Sequence, residues 1–348
     1  MRLHVVALYA AVLAAQPALA QSTAGPAQVP LAAFVHEDQF SNPRLSPDGK
    51  HIAITARVPS GDRFIPVLMM YSVPDMQITG AIRFPVFEVP ANYYWASATR
   101  LVVAKGREFG SREAPQATGE IVATDIDGKK QEYLFGYRMR NQSSRGERYG
   151  NDRGFGYVED VSEKRDGRVF ITSHAWEGNH SLLYDVDSIK GTRTLVADLP
   201  MPDLTFILQH SGKPRFAIGV DDESRAVEFR FDDASGRWNK IASDVGVRYR
   251  PFHFSADDRE FIASHSATGG PDTLIREDLA TGQRTTLFSD PVGSYTAPLY
   301  SSASLPFGAH STVGIPRVRY FDDKSTDAQL HQLLSAQFPG QHLHFIDF

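Results

Sequence analysis

A short turn flanked by alternating apolar residues, and returning along the chain at a near-constant interval, limits the folds open to this sequence more than any other feature. Its clearest copy is Asn42 to Thr55, NPRLSPDGKHIAIT. In Ser46-Pro47-Asp48-Gly49, proline presets the second position of a type I turn. The aspartate can bond its own backbone, and the glycine accepts a positive φ without steric cost. Leu45 leads in, and Ile52 and Ile54 lead out at period two, so both flanks read as strands of one hairpin. Weaker copies centre near Ala98, at Asp166-Gly167, at Gly212 and at Asp257. Setting aside one polar, Gly/Arg-rich insertion, Tyr137 to Gly156, the spacing is about 45–50 residues, the range of propeller blades.

Each unit also carries a second half. A third strand is expected at Val67–Val73, Glu120–Ile126, Ser181–Val186, Ala226–Phe231 and Thr273–Leu279. A fourth is expected at Ile78–Phe84, Gln131–Phe135, Thr194–Ala197, Trp238–Ile241 and Arg284–Phe288, in most units after a Gly-bearing turn such as Asp127-Gly128. Four short strands per unit predict an all-β chain, a β-propeller of four-stranded antiparallel blades, in preference to a β-sandwich. The sixth unit is degenerate: its turn falls near Ser302, its third strand at Pro316–Phe321, and Asp327–Phe338 reads as a helix or a closing strand. His342–Phe348 reads as the inbound strand of a seventh blade, so the propeller at 42–348 is expected to be incomplete at its C-terminus.

Ahead of the repeats, residues 1–20 have a basic start at Arg2 and His4, an apolar run from Val5 to Ala15, and a small-residue site at Ala18-Leu19-Ala20. This pattern is that of a secretory signal peptide, and its apolar run is too short to span a bilayer. The expectation is an exported, periplasmic or secreted protein with no membrane span. Residues 21–41 are a lead-in, with a short helix expected over Leu31–Phe40.

Composition narrows the chemistry. The net charge of −5 over 348 residues gives no general attraction to nucleic acid. The absence of cysteine removes disulfides, thiolate metal sites and a Cys nucleophile together. No G-x-S-x-G elbow, H-E-x-x-H, P-loop or dinucleotide fingerprint occurs. No residue is assigned a catalytic, cofactor-binding or metal-binding role, no cofactor is expected, and the chain alone is expected to be inactive.

Some local groups are weighed and set aside. Asp125-Ile126-Asp127-Gly128 lacks the later ligands of a calcium loop and reads as a hairpin turn. His342 and His344 would share a strand face without further ligands. Gly154-Phe155-Gly156 reads as a loop hinge, and Asp221-Asp222-Glu223 as a solvated turn. Arg138, Arg140, Arg145, Arg148 and Arg153 form a basic cluster in the insertion, either solvated or facing an acidic surface.

The stretch VPLAAFVHEDQFSNPRLSPDGKHIAIT resembles the entry to the N-terminal β-propeller of secreted prolyl oligopeptidase-type (S9) serine peptidases, a short helix followed by a P-x-LSPDG-x-x-IA repeat. EIVATDIDGKKQEYL is similar to the second half of that repeat, which TolB-type propellers share. The resemblance covers Val29 to the end. It implies a propeller that gates access of peptide substrates and docks onto an α/β-hydrolase domain carrying the catalytic residues, a domain this chain does not contain. The Glu pair by which dipeptidyl-peptidase members hold a substrate amine has no matching motif here, so that specificity is not implied. Two rivals stand beside this reading. One is a stand-alone periplasmic TolB-like scaffold for protein binding. The other is an enzyme with paired carboxylates in the propeller tunnel.

Overall fold

The computed structural model describes residues 29–31, 38–108, 115–137, 152–244, 246–300, 305–314, 316–339, 341 and 343–345. The chain divides into two compact units, Met1–Asp38 and Gln39–Phe348. The first is described only at residues 29–31 and 38, so the signal-peptide segment and most of the expected leading helix lie outside the described residues.

The second unit is built from consecutive antiparallel sheets, each made from one contiguous stretch of chain. The first contains β1 (Phe40–Leu45), β2 (His51–Ser60), β3 (Arg63–Ser72) and β4 (Ile78–Ile82). The second contains β5 (Glu88–Ser97), β6 (Arg100–Arg107), β7 (Gln116–Asp125) and β8 (Glu132–Phe135). The third contains β9 (Gly154–Val161), β10 (Arg168–Ala175), β11 (Ser181–Asp187) and β12 (Thr192–Leu199). The fourth runs β13 (Thr205–Leu208), β14 (Pro214–Val220), β15 (Ala226–Asp232), β16 (Arg237–Ala242). The fifth runs β17 (Arg248–Phe254), β18 (Glu260–Ser266), β19 (Thr273–Asp278), β20 (Arg284–Phe288). In each, strand order follows chain order. The sixth holds three strands among the described residues, β21 (Ala297–Leu299), β22 (Gly308–Ser311) and β23 (Arg317–Tyr320), and is followed by helix α1 (Thr326–Gln337).

The turn that organises the sequence is the same object in four of the sheets. Gly49 N–H donates to Ser46 O, Arg165 to Ser162 O, Gly212 to Gln209 O and Asp258 to Ser255 O, all at 2.8 Å. The donor has positive φ each time: 68° at Gly49, 49° at Arg165, 81° at Gly212 and 57° at Asp258. In sheets one and five the serine hydroxyl also donates to the aspartate two residues on and accepts the N–H five residues on. These side-chain bonds satisfy turn backbone groups that would otherwise lack partners.

The sheets stack through shared apolar clusters, and strand periodicity divides each middle sheet between two neighbours. On β6, Leu101 and Val103 pack with Leu68 and Met70 of the first sheet, whereas Val102 packs with Ile171 and Val186 of the third. Phe170 and Leu183 meet Phe206 and Phe229 across sheets three and four. Phe216 meets Phe254 and Phe261 across sheets four and five, and Leu274 meets Ala309 across sheets five and six. The first strands of successive sheets touch one another from β1 to β17, while outer strands such as β16 are largely exposed. First strands therefore line an axis and fourth strands face outward, the arrangement of a β-propeller.

Close approach between sheets leaves no room for a Cβ at Gly80. One placed there would lie 2.4 Å from Ile126 O and 2.5 Å from Asp127 C, backbone of the next sheet. Gly80→Ala is expected to cost about 1–3 kcal/mol through overpacking, read as a lower thermal midpoint. Gly236→Ala, where a Cβ meets nothing within 4 Å but φ is +65°, tests conformational strain without crowding.

Three expectations need correction, and one alternative left open is settled. Strand β1 begins at Phe40, inside the lead-in, because Phe40 and Ser41 pair with Ala56 and Thr55. Gly154-Phe155-Gly156 is not a hinge: it opens β9 and pairs with His174 and its neighbours on β10, and no side chain fits where Gly156 meets the Phe135 ring. Asp327–Phe338 resolves to a helix, capped by the Ser325 hydroxyl, which accepts from Ala328 N–H at 3.3 Å. Leu343–Phe345 is not an inbound strand. Leu343 O accepts from His310 and His331, and the Phe345 ring packs on Phe307, tying this segment to the sixth sheet. His342 and residues 346–348 lie outside the described residues.

Candidate functional site

The axis carries a cavity of about 620 Å³ between sheets three, four and five. Its walls are first strands: Glu159 and Asp160 of β9, Thr205–Leu208 of β13 and Arg250–Phe254 of β17, with Tyr295 and Thr296 ahead of β21. Glu163 and His210 stand on hairpin turns at one end.

Adjacent residues on a regular strand point to opposite faces. Glu159 and Asp160 nevertheless both line the cavity. Asp160 opposes Phe170, while Val158 opposes Ile171, so Glu159 is the extra residue of a β-bulge. A bulge re-aims side chains at the point where pairing slips. A second one on β17, between Pro251 and His253, leaves Phe252 as the extra residue on the opposite wall.

The enclosure shifts the acids upward. Burial pushes Glu159 up to about 7, partly offset by the Thr172 hydroxyl and the Phe206 backbone, and the charge of Asp160 adds to the rise. Burial also raises Asp160. Asp160 is exposed at the cavity; the Val161 N–H and the nearby Arg165 and His210 partly offset its rise, and Glu163 adds to it. Thr172 is fully buried and its hydroxyl has no partner in hydrogen-bond geometry, although it lies close enough to favour the ionised Glu159.

The basic groups are arranged differently. His210 is held by Asp258, whose Oδ1 takes the backbone N–H at 2.8 Å and lies 3.1 Å from Nδ1. Its Nε2 is 3.8 Å from Glu163. One imidazole thus links turns of three successive sheets. Burial and the neighbouring His210 push His253 down to about 4, so it is neutral at pH 7, and its buried Nε2 has no partner. Its ring lies 5.0 Å from Tyr300, whose phenol is raised by burial. Asp272 is neutralised by Arg248 at 2.9 Å. Arg250 is exposed.

A pH dependence follows. With its pKa near 7 in the fold and near 4.5 unfolded, Glu159 holds a proton between those values that the unfolded chain releases. Its contribution is complete below pH 4.5 and is lost as pH rises through 7. Asp160 has the same sign, and His253 the opposite. Glu159→Gln should therefore gain on the wild type as pH rises, by about 1–3 kcal/mol at pH 8. Urea unfolding of both proteins from pH 5 to 8 checks it; parallel curves would contradict the shift.

The groups singled out from sequence lie elsewhere. Asp125 closes the β7–β8 turn, accepting from Gly128 N–H at 2.9 Å, and pairs with Arg100 and Lys130. Asp221 and Glu223 pair with Arg225 in the β14–β15 turn. Arg153 is exposed, and the other four arginines of the cluster lie outside the described residues. His344 lies with its ring 6.4 Å from His310, remote from the axis-lining residues in sequence and sheet. Among the described residues no group of three or more His, Asp or Glu is placed to hold a metal ion. No helix there is long and apolar enough to cross a membrane. Sequence reading missed Glu159 and Asp160 because an alternating strand would have aimed them apart; the only signal was two adjacent acids before a repeat turn.

The fold has known counterparts. A structure from an analysis of two prolyl endopeptidases superposes with a TM-score of 0.52 at 12% identity, over 80% of this chain and 40% of that one. Dipeptidyl peptidase 4 of Porphyromonas gingivalis gives 0.48 at 13% identity, over 87% of this chain and 47% of that one. TolB of Acinetobacter baumannii gives 0.41 at 12%, over 78% and 66%. The chain thus spans less than half of either peptidase structure and about two thirds of TolB. No family model and no curated protein matches the sequence. At 12% identity the superposition on the prolyl endopeptidase structure shows a shared propeller fold and nothing finer.

Proposed function

We propose that this chain is the substrate-gating and docking propeller of a prolyl oligopeptidase-type (S9) serine peptidase, exported by the signal peptide at 1–20. The partner is an α/β-hydrolase domain that supplies the nucleophile, and the substrates are peptides small enough to pass the propeller opening. The carrying observation is the axial cavity, walled by first strands, in a propeller whose repeat reads P-x-LSPDG-x-x-IA. First strands converging on an axis leave a passage of limited bore, and bore selects substrates by size. The likeness to a prolyl endopeptidase structure over 80% of this chain supports the same reading at the level of fold.

The coding sequence downstream of Phe348 tests it. An open frame running into further propeller strands and a G-x-S-x-G segment is the expected result. A stop codon with no hydrolase frame downstream would overturn the peptidase reading and leave a stand-alone periplasmic scaffold, to be pursued by partner capture.

A further inference from the structure

The hairpin turns of sheets three, four and five meet at one end of the axial cavity, where a single imidazole joins them. Asp258 Oδ1 takes the His210 backbone N–H at 2.8 Å and lies 3.1 Å from Nδ1, while Glu163 Oε1 lies 3.8 Å from Nε2. Carboxylate oxygens therefore face both ring nitrogens. A neutral imidazole carries one N–H and one lone pair, whereas the imidazolium carries two N–H donors. Only the charged ring can serve both carboxylates. The neutral ring keeps its proton on the nearer Asp258, and its Nε2 lone pair then faces the Glu163 carboxylate without attraction. The other groups around the ring leave this choice to His210. Sheet three adds Asp160, which senses the His210 charge, and the exposed Lys164 on the turn that carries Glu163. Sheet five adds His253, neutral at pH 7, with its ring 6.1 Å away. The remaining cations nearby are engaged: Lys213 by Asp233, Arg259 by Asp257, and Arg165 by the Trp95 carbonyl at 3.1 Å.

From this geometry we infer that His210 is a proton-operated clasp on one mouth of the axial cavity. As the imidazolium it ties the turn of sheet three to that of sheet four through Glu163, and as the neutral ring it lets that turn go. The link between sheets four and five does not open, because the His210 backbone N–H holds Asp258 in either state. Deeper in, Phe170 packs with Phe206 between sheets three and four, and its ring lies so close to Gly212 that a Cβ there would meet it at 2.6 Å. Movement is therefore expected in the turn at 162–167 and in the Glu163 side chain, not in the strands beneath. Glu163 and His210 both line the cavity, so release widens that mouth. Imidazole is the side chain that changes charge between about pH 5 and 8. Acid accordingly closes the clasp, and mild alkali opens it. The clasp needs no hydrolase partner, so it stands or falls separately from the docking role.

The chain has no cysteine, so spin labels can be attached at introduced ones alone. Lys164 and Ser211 are exposed on the turns of sheets three and four, and Arg259 on that of sheet five. Pulsed dipolar distance measurement on the full chain tests the clasp, with labels at Lys164→Cys and Ser211→Cys. A short-distance population at pH 5 is expected to lose ground to a longer one at pH 8, their ratio changing about two- to fivefold, as befits a half-exposed ion pair. Labels at Ser211→Cys and Arg259→Cys should report one distance at both pH values. His210→Phe should hold the first label pair in the longer distribution throughout. Glu163→Ala should do the same, and its exposed position keeps the test open if the first variant is unstable. Glu159→Gln should leave the transition in place. An unchanged 164–211 distribution between pH 5 and 8 would overturn the inference. So would a change that survives either clasp variant, that vanishes in Glu159→Gln, or that the 211–259 pair matches.

Discussion

Replacing Lys105 with methionine is expected to destabilise the protein by about 3–5 kcal/mol. The Lys105 ammonium lies 2.7 Å from Glu88 and 2.9 Å from Glu120, and 3.2 Å from the Tyr133 hydroxyl. The three charged side chains are 2%, 4% and 0% exposed, so water cannot replace what is lost. They come from β5, β6 and β7, one from each of the first three strands of the second sheet. Methionine would leave two buried carboxyls facing each other without a cation, and one would have to take up a proton. The triad itself contributes little net stability, since burying three charges costs about what their attraction returns. Replacing Lys105, Glu88 and Glu120 together by apolar residues should therefore recover most of the loss. Equilibrium urea unfolding of the single and triple variants decides this; a single variant within about 1 kcal/mol of wild type would show that water reaches the site. Desolvation pulls the Lys105 pKa down, and the two glutamates more than compensate, leaving it raised. Its stabilising contribution is thus complete below the ordinary lysine pKa and is lost only in strong alkali.

Truncating Phe216 to alanine should cost about 3–5 kcal/mol. The ring is 1% exposed and is wedged between sheets four and five, stacked at 5.8 Å on Phe254 and tilted at 4.9 Å from Phe261. Its partners come from a different sheet, so the backbone of β14 cannot collapse into the void without breaking its pairing with β13 and β15. Because Ile207, Tyr249 and Phe254 belong to the same cluster and also border or flank the axial cavity, loosening the wedge should widen the cavity mouth. The expected result is a lower urea midpoint together with faster amide exchange in β13 and β17, while exchange in β2 and β3 follows only the global change. Uniform acceleration across all sheets would instead mean that the propeller unfolds as one cooperative unit.

The repeat was legible because it is local. Leu45, Ile52 and Ile54 alternate about a turn whose chemistry lies in four adjacent residues, and the strands and their order followed from such patterns. Even so, the left-handed position is a glycine in only two of the four matching turns; Arg165 and Asp258 occupy it in the others, which is why those copies look weak in sequence. The sixth unit was ambiguous for the same reason: Asp327–Phe338 has helix-forming residues and a serine cap but few apolar positions, and buries only Ala328 and His331.

Sequence by itself determined the all-β class, the four-strand unit and the placing of its turns, because hairpin pairing and turn formation act over a few neighbouring residues. Only the tertiary structure decided which strands line the axis. It also decided that a bulge turns Glu159 and Asp160 to one side, that Lys105 sits between two carboxylates, and that residues from sheets three, four and five enclose one cavity. Burial and charge proximity set these properties, and both depend on groups from different strands, 15 and 17 residues apart for the Lys105 pairs and a whole repeat apart for the cavity walls, distances over which side-chain pattern carries no information about direction.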